Sequence, residues 1–121
     1  MKIISIPAST PALIVEDDIG RRYWFLSRYR LPHAFLAATS DQAIRLIREL
    51  EPTVFLDYDL APGITSESVA RFLAATNYRG QVFIHSENPF GREVLKRILP
   101  AATVVPYGTF EVVSTQAVAN D

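Results

Sequence analysis

The stretch Ala12-Leu-Ile-Val-Glu-Asp-Asp18 (ALIVEDD) decides how the rest of the chain is read. Four apolar residues in a row, without polar alternation, predict a short strand buried on both faces. The acidic residues Glu16-Asp17-Asp18 put charge at its carboxyl end. Further apolar runs at Ala34–Ala38, Val54–Leu56, Gln81–Ile84 and Thr103–Val105 predict four more strands. Between them lie residues at helical spacing: Ile19, Tyr23, Leu26 and Tyr29; Ala43, Ile47 and Leu50; Val69, Phe72 and Leu73; Val94, Leu95, Ile98 and Leu99. Phe110, Val113 and Ala117 predict a last, short helix.

The punctuation agrees with this division. Thr39 and Gln42 fit a capping box, with Ser40 as the alternative cap, and Glu51-Pro52 ends that helix because proline cannot continue it. Ser66 is the expected cap of the third helix, Asn77 to Gly80 the turn after it, and Leu99-Pro100 the end of the fourth. Strands alternating with helices imply βα units with right-handed crossovers. The expected fold is α/β: a five-stranded parallel sheet, strand order 2-1-3-4-5, with helices on both faces. Residues 11–121 make one domain. Residues 1–10 lie outside the alternation, with Lys2–Ile6 either an edge strand or a loose arm.

Composition narrows the function. The chain has 121 residues, 12 basic against 13 acidic, and a net charge of -1, so nothing in its charge calls for duplex nucleic acid or an anionic membrane. The absence of cysteine removes disulfide scaffolds, thiolate zinc sites and cysteine nucleophiles, and fits a reducing cytoplasm. The charge-free runs, Ile3 to Val15 and Ile98 to Phe110, are too short to span a bilayer and are broken by prolines. The opening MKIISIPAST is too weakly apolar for a secretory signal. A cytoplasmic location is expected.

In an open parallel sheet, functional groups gather at the carboxyl ends of the strands. Those ends read Glu16-Asp17-Asp18, Asp57-Tyr58-Asp59, His85-Ser86-Glu87-Asn88 and Pro106-Tyr107-Gly108. With the first and third strands adjacent, Asp17, Asp18 and Asp57 converge. Carboxylates so close repel unless one is protonated or a cation lies between them, and an all-oxygen cluster suits Mg²⁺ or Mn²⁺. Taken alone, each acidic pair could merely cap a helix or shape a turn. His85 faces the acidic cluster, which should raise its pKa and make it a general acid for an alkoxide leaving group. Ser86 could donate to a phosphoryl oxygen, and Asn88 could bind a ligand or serve only as a turn residue. Arg21, Arg22, Arg28 and Arg30 make the first helix basic, which could attract a phosphate, with a solvated face as the plainer reading. Trp24 and Phe25 exceed what one apolar face needs, so one is expected at the surface as a contact residue.

Together ALIVEDD, TSDQAIRLI, VFLDYDL and the hydroxyl residue after the fourth strand resemble a CheY-like response-regulator receiver domain from about Pro11 onward. The resemblance implies that Asp57 accepts a phosphoryl group from a histidine kinase. It also implies that Asp17 and Asp18 bind Mg²⁺, and that Asp59 lends its backbone carbonyl to the metal. Ordinary receivers carry a lysine before the proline that ends strand five; here Val105 precedes Pro106, and Lys96 belongs to the fourth helix. LDYDL with IHSENPFG is similar to the divergent branch of cyclic-phosphate processing receiver domains. His85, Ser86, Asn88, Pro89 and Gly91 match its second motif. Asp57, Asp59 and Leu60 match the first, with Tyr58 where that branch has histidine.

Three functions follow. The first is an Mg²⁺-dependent phosphoesterase acting on a cyclic phosphate or phosphodiester, with Asp57, His85 and Ser86 catalytic and a phosphorylated small molecule or nucleotide as substrate. The second is a phosphoacceptor in two-component signalling. The third is a degenerate receiver that binds partners through its surface. Receivers often pair through their last strands and helices, so a homodimer is a further expectation.

Overall fold

The computed structural model describes residues 2–7, 9–28, 33–105 and 110–115. Tyr29, Arg30, Pro106 to Gly108 and Ala117, which entered the sequence reading, lie outside them. In chain order the elements are β1 (Lys2–Pro7), β2 (Ala12–Val15), α1 (Ile19–Arg28), β3 (Ala34–Ala37), α2 (Ser40–Leu50), β4 (Thr53–Leu56), β5 (Asp59–Ala61), β6 (Ile64–Thr65), α3 (Glu67–Ala75), β7 (Val82–Ile84), α4 (Pro89–Ile98), β8 (Thr103–Val104) and β9 (Phe110–Thr115). The main sheet is parallel, in the order β3-β2-β4-β7-β8. That is the expected topology, and the apolar runs form it because both faces are covered.

Alternate residues of each strand feed two cores. Leu13, Val15, Val54, Leu56 and Ile84 point to the face covered by α2, α3 and α4, where they meet Ile47, Leu73 and Leu95. Ala12, Ile14, Phe55 and Phe83 point the other way, toward Phe25 of α1. Gln42 caps α2 partly as expected: Thr39 Oγ1 accepts its N–H at 3.2 Å, while its side-chain oxygen reaches back to the Ala38 N–H at 3.0 Å. No helix among the described residues is long and apolar enough to cross a membrane.

The last predicted helix is instead a strand. Phe110–Thr115 pairs in parallel with Lys2–Pro7 along its whole length, from Lys2 opposite Phe110 to Pro7 opposite Thr115. The spacing of Phe110, Val113 and Ala117 suits a helix, but burial follows a period of two. Ile4, Ile6 and Phe110 are buried, whereas Ile3 and Val113 are exposed. The β1–β9 ribbon therefore covers the sheet face beside α1. Its anchor is Phe110, stacked on Phe55 at 6.2 Å and tilted against Phe25 at 6.0 Å. Trp24 and Phe25 also differ from expectation. Phe25 is fully buried and Trp24 packs edge-on against it and Phe110; the exposed aromatic ring of α1 is Tyr23.

Replacing Phe110 by alanine should cost about 3–5 kcal/mol, as expected for a fully buried aromatic residue. Val113→Ala, at a position 44% exposed, should stay within about 0.5 kcal/mol. Urea unfolding midpoints of the two variants measure the difference, and equal losses would contradict the ribbon.

Candidate functional site

Sheet register places the site. Val15 pairs with Leu56, so the residues just after them, Glu16 and Asp57, come level at the carboxyl edge. The ladder continues past the strand ends: Asp57 N–H donates to the Val15 carbonyl at 3.1 Å, Glu16 N–H to Ala37 at 2.9 Å and His85 N–H to Leu56 at 3.1 Å. Three polar side chains are thereby fixed side by side, and all three are buried. One ligand atom from each of Glu16, Asp57 and His85 lies within 4.8 Å of the others.

Arg21, in the first turns of α1, ties them together. Its Nε donates to Glu16 Oε1 at 2.9 Å, and a terminal guanidinium nitrogen stands 3.5 Å from Asp57 Oδ2. The other terminal nitrogen lies 4.0 Å from the exposed Glu87 carboxylate. Glu16 Oε1 also faces His85 Nε2 at 3.1 Å, and Glu16 Oε2 accepts the Asp18 N–H at 3.2 Å. Asp57 is less well served. Its Oδ1 accepts the Tyr58 N–H at 2.8 Å, but among the described residues its buried Oδ2 accepts no hydrogen bond.

These environments pull the two carboxyls apart. Burial works against charge on Glu16, but hydrogen bonds from His85 and Arg21 outweigh it and hold the carboxyl at about 2. Burial, followed by the neighbouring charge of Glu16, pushes Asp57 up to about 7, against the pull of Arg21 and the Tyr58 N–H. The hydrogen bond to Glu16 raises Arg21 above its ordinary value. His85 runs opposite to the sequence expectation: complete burial lowers its pKa, and the attraction of Glu16 does not compensate. The neutral imidazole assigned on this basis donates from Nε2 to Glu16.

The other anticipated residues take varied places. Asp17 is half-buried beside Glu16, whereas Asp18 is exposed and caps α1, its Oδ1 accepting the Arg21 N–H at 2.9 Å. The exposed Asp59 carboxylate accepts from Asn88 Nδ2 at 3.2 Å. Asn88 also caps α4, its Oδ1 accepting the N–H groups of Phe90 at 3.0 Å and Gly91 at 3.2 Å. Ser86 is buried, and its Oγ accepts the Asn88 N–H at 3.1 Å. Ser66 precedes α3 as expected but makes no side-chain cap; its hydroxyl donates to the Asp57 carbonyl. Tyr58 packs against Gly91, where an added Cβ would lie 2.4 Å from its ring. Lys96 is remote from the site and donates to the carbonyls of Pro100 and Ala102.

The sequence does not single out Glu16, and it offers Arg21 only as one of four arginines on the first helix. The signal for Glu16 was its position immediately after a strand, matching Asp57 after the neighbouring strand. Arg21 belongs to a basic helix that could attract a phosphate or simply face solvent, and nothing in helical spacing points it back at Glu16.

The residues present fit a hard divalent cation. Glu16 and Asp57 of the buried cluster would supply oxygen ligands, and His85 would orient Glu16 from behind. Such an ion would offset charge building on a phosphoryl oxygen.

Sheet order and acidic edge define a receiver domain of the CheY-like class. The family described as the cyclic-phosphate processing receiver domain matches residues 12–101, and the chain belongs to that family. No curated protein matches the chain. Among solved structures it is similar to the signal receiver domain of a putative Luxo repressor protein from Vibrio parahaemolyticus, at 19% identity over 85% of this chain and 77% of that one, TM-score 0.60. It is also similar to the N-terminal domain of an uncharacterized protein from Wolinella succinogenes, at 18% identity over 83% of this chain and 82% of that one, TM-score 0.67. A third similarity is to the signal receiver domain of a modulated diguanylate cyclase from Desulfovibrio desulfuricans, at 19% identity over 83% of this chain and 82% of that one, TM-score 0.61. At these identities the likeness is one of fold.

Asp57 makes stability depend on pH. Its folded pKa of about 7 exceeds the unfolded value, so its contribution is fully present below about pH 4 and is lost as pH rises through 7. In chelator, Asp57→Asn should therefore raise stability by about 1–3 kcal/mol at pH 8 and by less at pH 5. Urea titrations at the two pH values test this; an equal gain at both, or a loss at pH 8, would contradict it.

Proposed function

We propose that this domain handles phosphoryl groups at Asp57, assisted by Mg²⁺ or Mn²⁺ held by Glu16, Asp17 and Asp57. The observation that carries the reading is Asp57 Oδ2, a buried carboxylate oxygen that accepts no hydrogen bond among the described residues and has a guanidinium 3.5 Å away. That oxygen is the nucleophile. With an acyl phosphate donor, Oδ2 forms a bond to phosphorus as the donor's P–O bond breaks, and the departing carboxylate keeps the electron pair and needs no proton. A histidine kinase is the corresponding protein donor. His85 acts by orienting Glu16, and Ser86 and Asn88 by shaping the loop that carries Glu87. The bivalent cation supplies the charge compensation that Asp57 lacks when both it and Glu16 are ionised.

Family membership favours a second reading, in which the phosphorus belongs to a cyclic phosphate. Attack by Oδ2 then opens the ring, and the released alkoxide takes its proton from water, since His85 Nε2 is committed to Glu16. Water then attacks the phosphorus of the resulting acyl phosphate, the bond from phosphorus to Oδ2 breaks, and the carboxylate and the ring-opened monophosphate are released.

Intact-protein mass after incubation with acetyl phosphate and Mg²⁺ tests the first reading. One phosphoryl group is expected on wild type and on His85→Ala, and none on Asp57→Asn or in the presence of chelator. Incubation with a 2′,3′-cyclic nucleotide tests the second: ring-opened monophosphate should form with wild type and be absent with Asp57→Asn. Neither adduct nor ring opening, with Mg²⁺ binding demonstrated, would overturn the proposal.

A further inference from the structure

We infer that Arg21 is the mobile cation of this site: it neutralises Glu16 and Asp57 while no divalent cation is bound, and ligates the phosphoryl oxygens once a metal holds those carboxylates. The inference rests on the phosphoryl-handling reading above and adds the residue that replaces the missing fifth-strand lysine.

The metal-free arrangement leaves little room on Glu16. Its Oε1 takes Arg21 Nε at 2.9 Å and His85 Nε2 at 3.1 Å, and its Oε2 takes the Asp18 N–H at 3.2 Å. A cation approaching this carboxylate meets the guanidinium already there, so metal binding and the Arg21–Glu16 contact compete. His85 and the Asp18 N–H are held by the buried loop and the turn, whereas the Arg21 side chain is 27% exposed and can swing outward.

Released from Glu16, the guanidinium stays within reach of the reacting atom. It stands 3.5 Å from Asp57 Oδ2, longer than a hydrogen bond, so once swung outward it would meet the oxygens of a phosphoryl group carried on that atom. The planar fork suits two such oxygens at once. Its outer nitrogen, 4.0 Å from Glu87, marks the path toward the rim.

Among the described residues, Arg21 is the cation that reaches Asp57. Arg22 Nε donates to the Glu16 carbonyl at 2.9 Å and Arg92 to the Ser86 carbonyl at 2.8 Å. Lys96 clasps the loop before β8, at the opposite end of the sheet from Asp57. Val105, which stands where receivers place lysine, is buried in the aromatic core.

Two measurements with opposite signs test this. The probes are Mn²⁺ alone, followed by calorimetry, and beryllofluoride in saturating Mg²⁺, a mimic of a carboxyl-bound phosphoryl group followed by ¹⁹F NMR. Arg21→Ala should bind Mn²⁺ several-fold tighter and beryllofluoride about tenfold weaker, the latter being what one charge-assisted hydrogen bond contributes. Arg21→Lys, which keeps the charge without the fork, should fall between wild type and alanine on both. If alanine weakens both ligands together, Arg21 is only a structural tie and the inference fails. It fails equally if beryllofluoride affinity is unchanged, and the phosphoryl reading then stands without it. A wild type that binds neither probe would overturn the inference and that reading together.

Discussion

Two carboxylates held side by side in a buried strand edge are the constraint around which this domain is organised. Parallel register leaves Glu16 and Asp57 no freedom to separate, since each follows directly on a paired strand residue. Removed from water, two such groups cannot both ionise without compensation. The protein resolves this unequally. Glu16 collects Arg21, His85 and a backbone N–H and stays charged; Asp57 receives one backbone N–H and a more distant guanidinium, and holds its proton far longer. One carboxyl thus becomes a fixed anion and the other keeps its proton into the neutral range, an assignment made by environment rather than by residue type.

The packing behind the site serves the same end. His85 sits edge-on against Phe25 at 4.9 Å, Phe25 packs against Phe55 and Phe110, and Phe110 opens the ribbon strand that pairs with β1. An aromatic wall therefore runs from the β1–β9 ribbon to the ring that orients Glu16. It keeps the imidazole dry and neutral. On the opposite side, the Ser66 hydroxyl fixes the carbonyl of Asp57 and the Ser66 N–H donates to the Tyr58 carbonyl at 2.8 Å, so Asp57 is held through both its N–H and its carbonyl. Gly91 lets Tyr58 lie against the start of α4, which draws the β5 turn and the Asn88 loop together.

Much of this was legible in the sequence, for physical reasons that can be named. Strands buried on both faces must be apolar throughout, so ALIV and VFL declared themselves, and the strand order followed from alternation with helices. The placement of Asp57, His85 and Ser86 at one end of the sheet was legible because groups after such strands have only one edge to occupy. What escaped was set by competing periods and by long-range charge. Phe110, Val113 and Ala117 obey helical spacing, while the burial of Ile4, Ile6 and Phe110 follows the period of a strand that needs a partner from the far end of the chain. Glu16 was passed over in favour of Asp17 and Asp18, although register alone sets it beside Asp57. The direction of the His85 shift depended on a burial that only the aromatic wall reveals. Arg21 belongs to the site because α1 returns across its own capping turn, a geometry that composition does not encode.

The most direct test of the central ion pair is an arginine-selective ¹H–¹⁵N NMR spectrum of the metal-free protein at neutral pH. A hydrogen-bonded Arg21 Nε–H facing Glu16 should give a downfield, slowly exchanging signal that disappears in Glu16→Gln and moves on addition of Mg²⁺. An Arg21 signal indistinguishable from that of a solvated arginine would contradict the arrangement that keeps Glu16 charged beside Asp57.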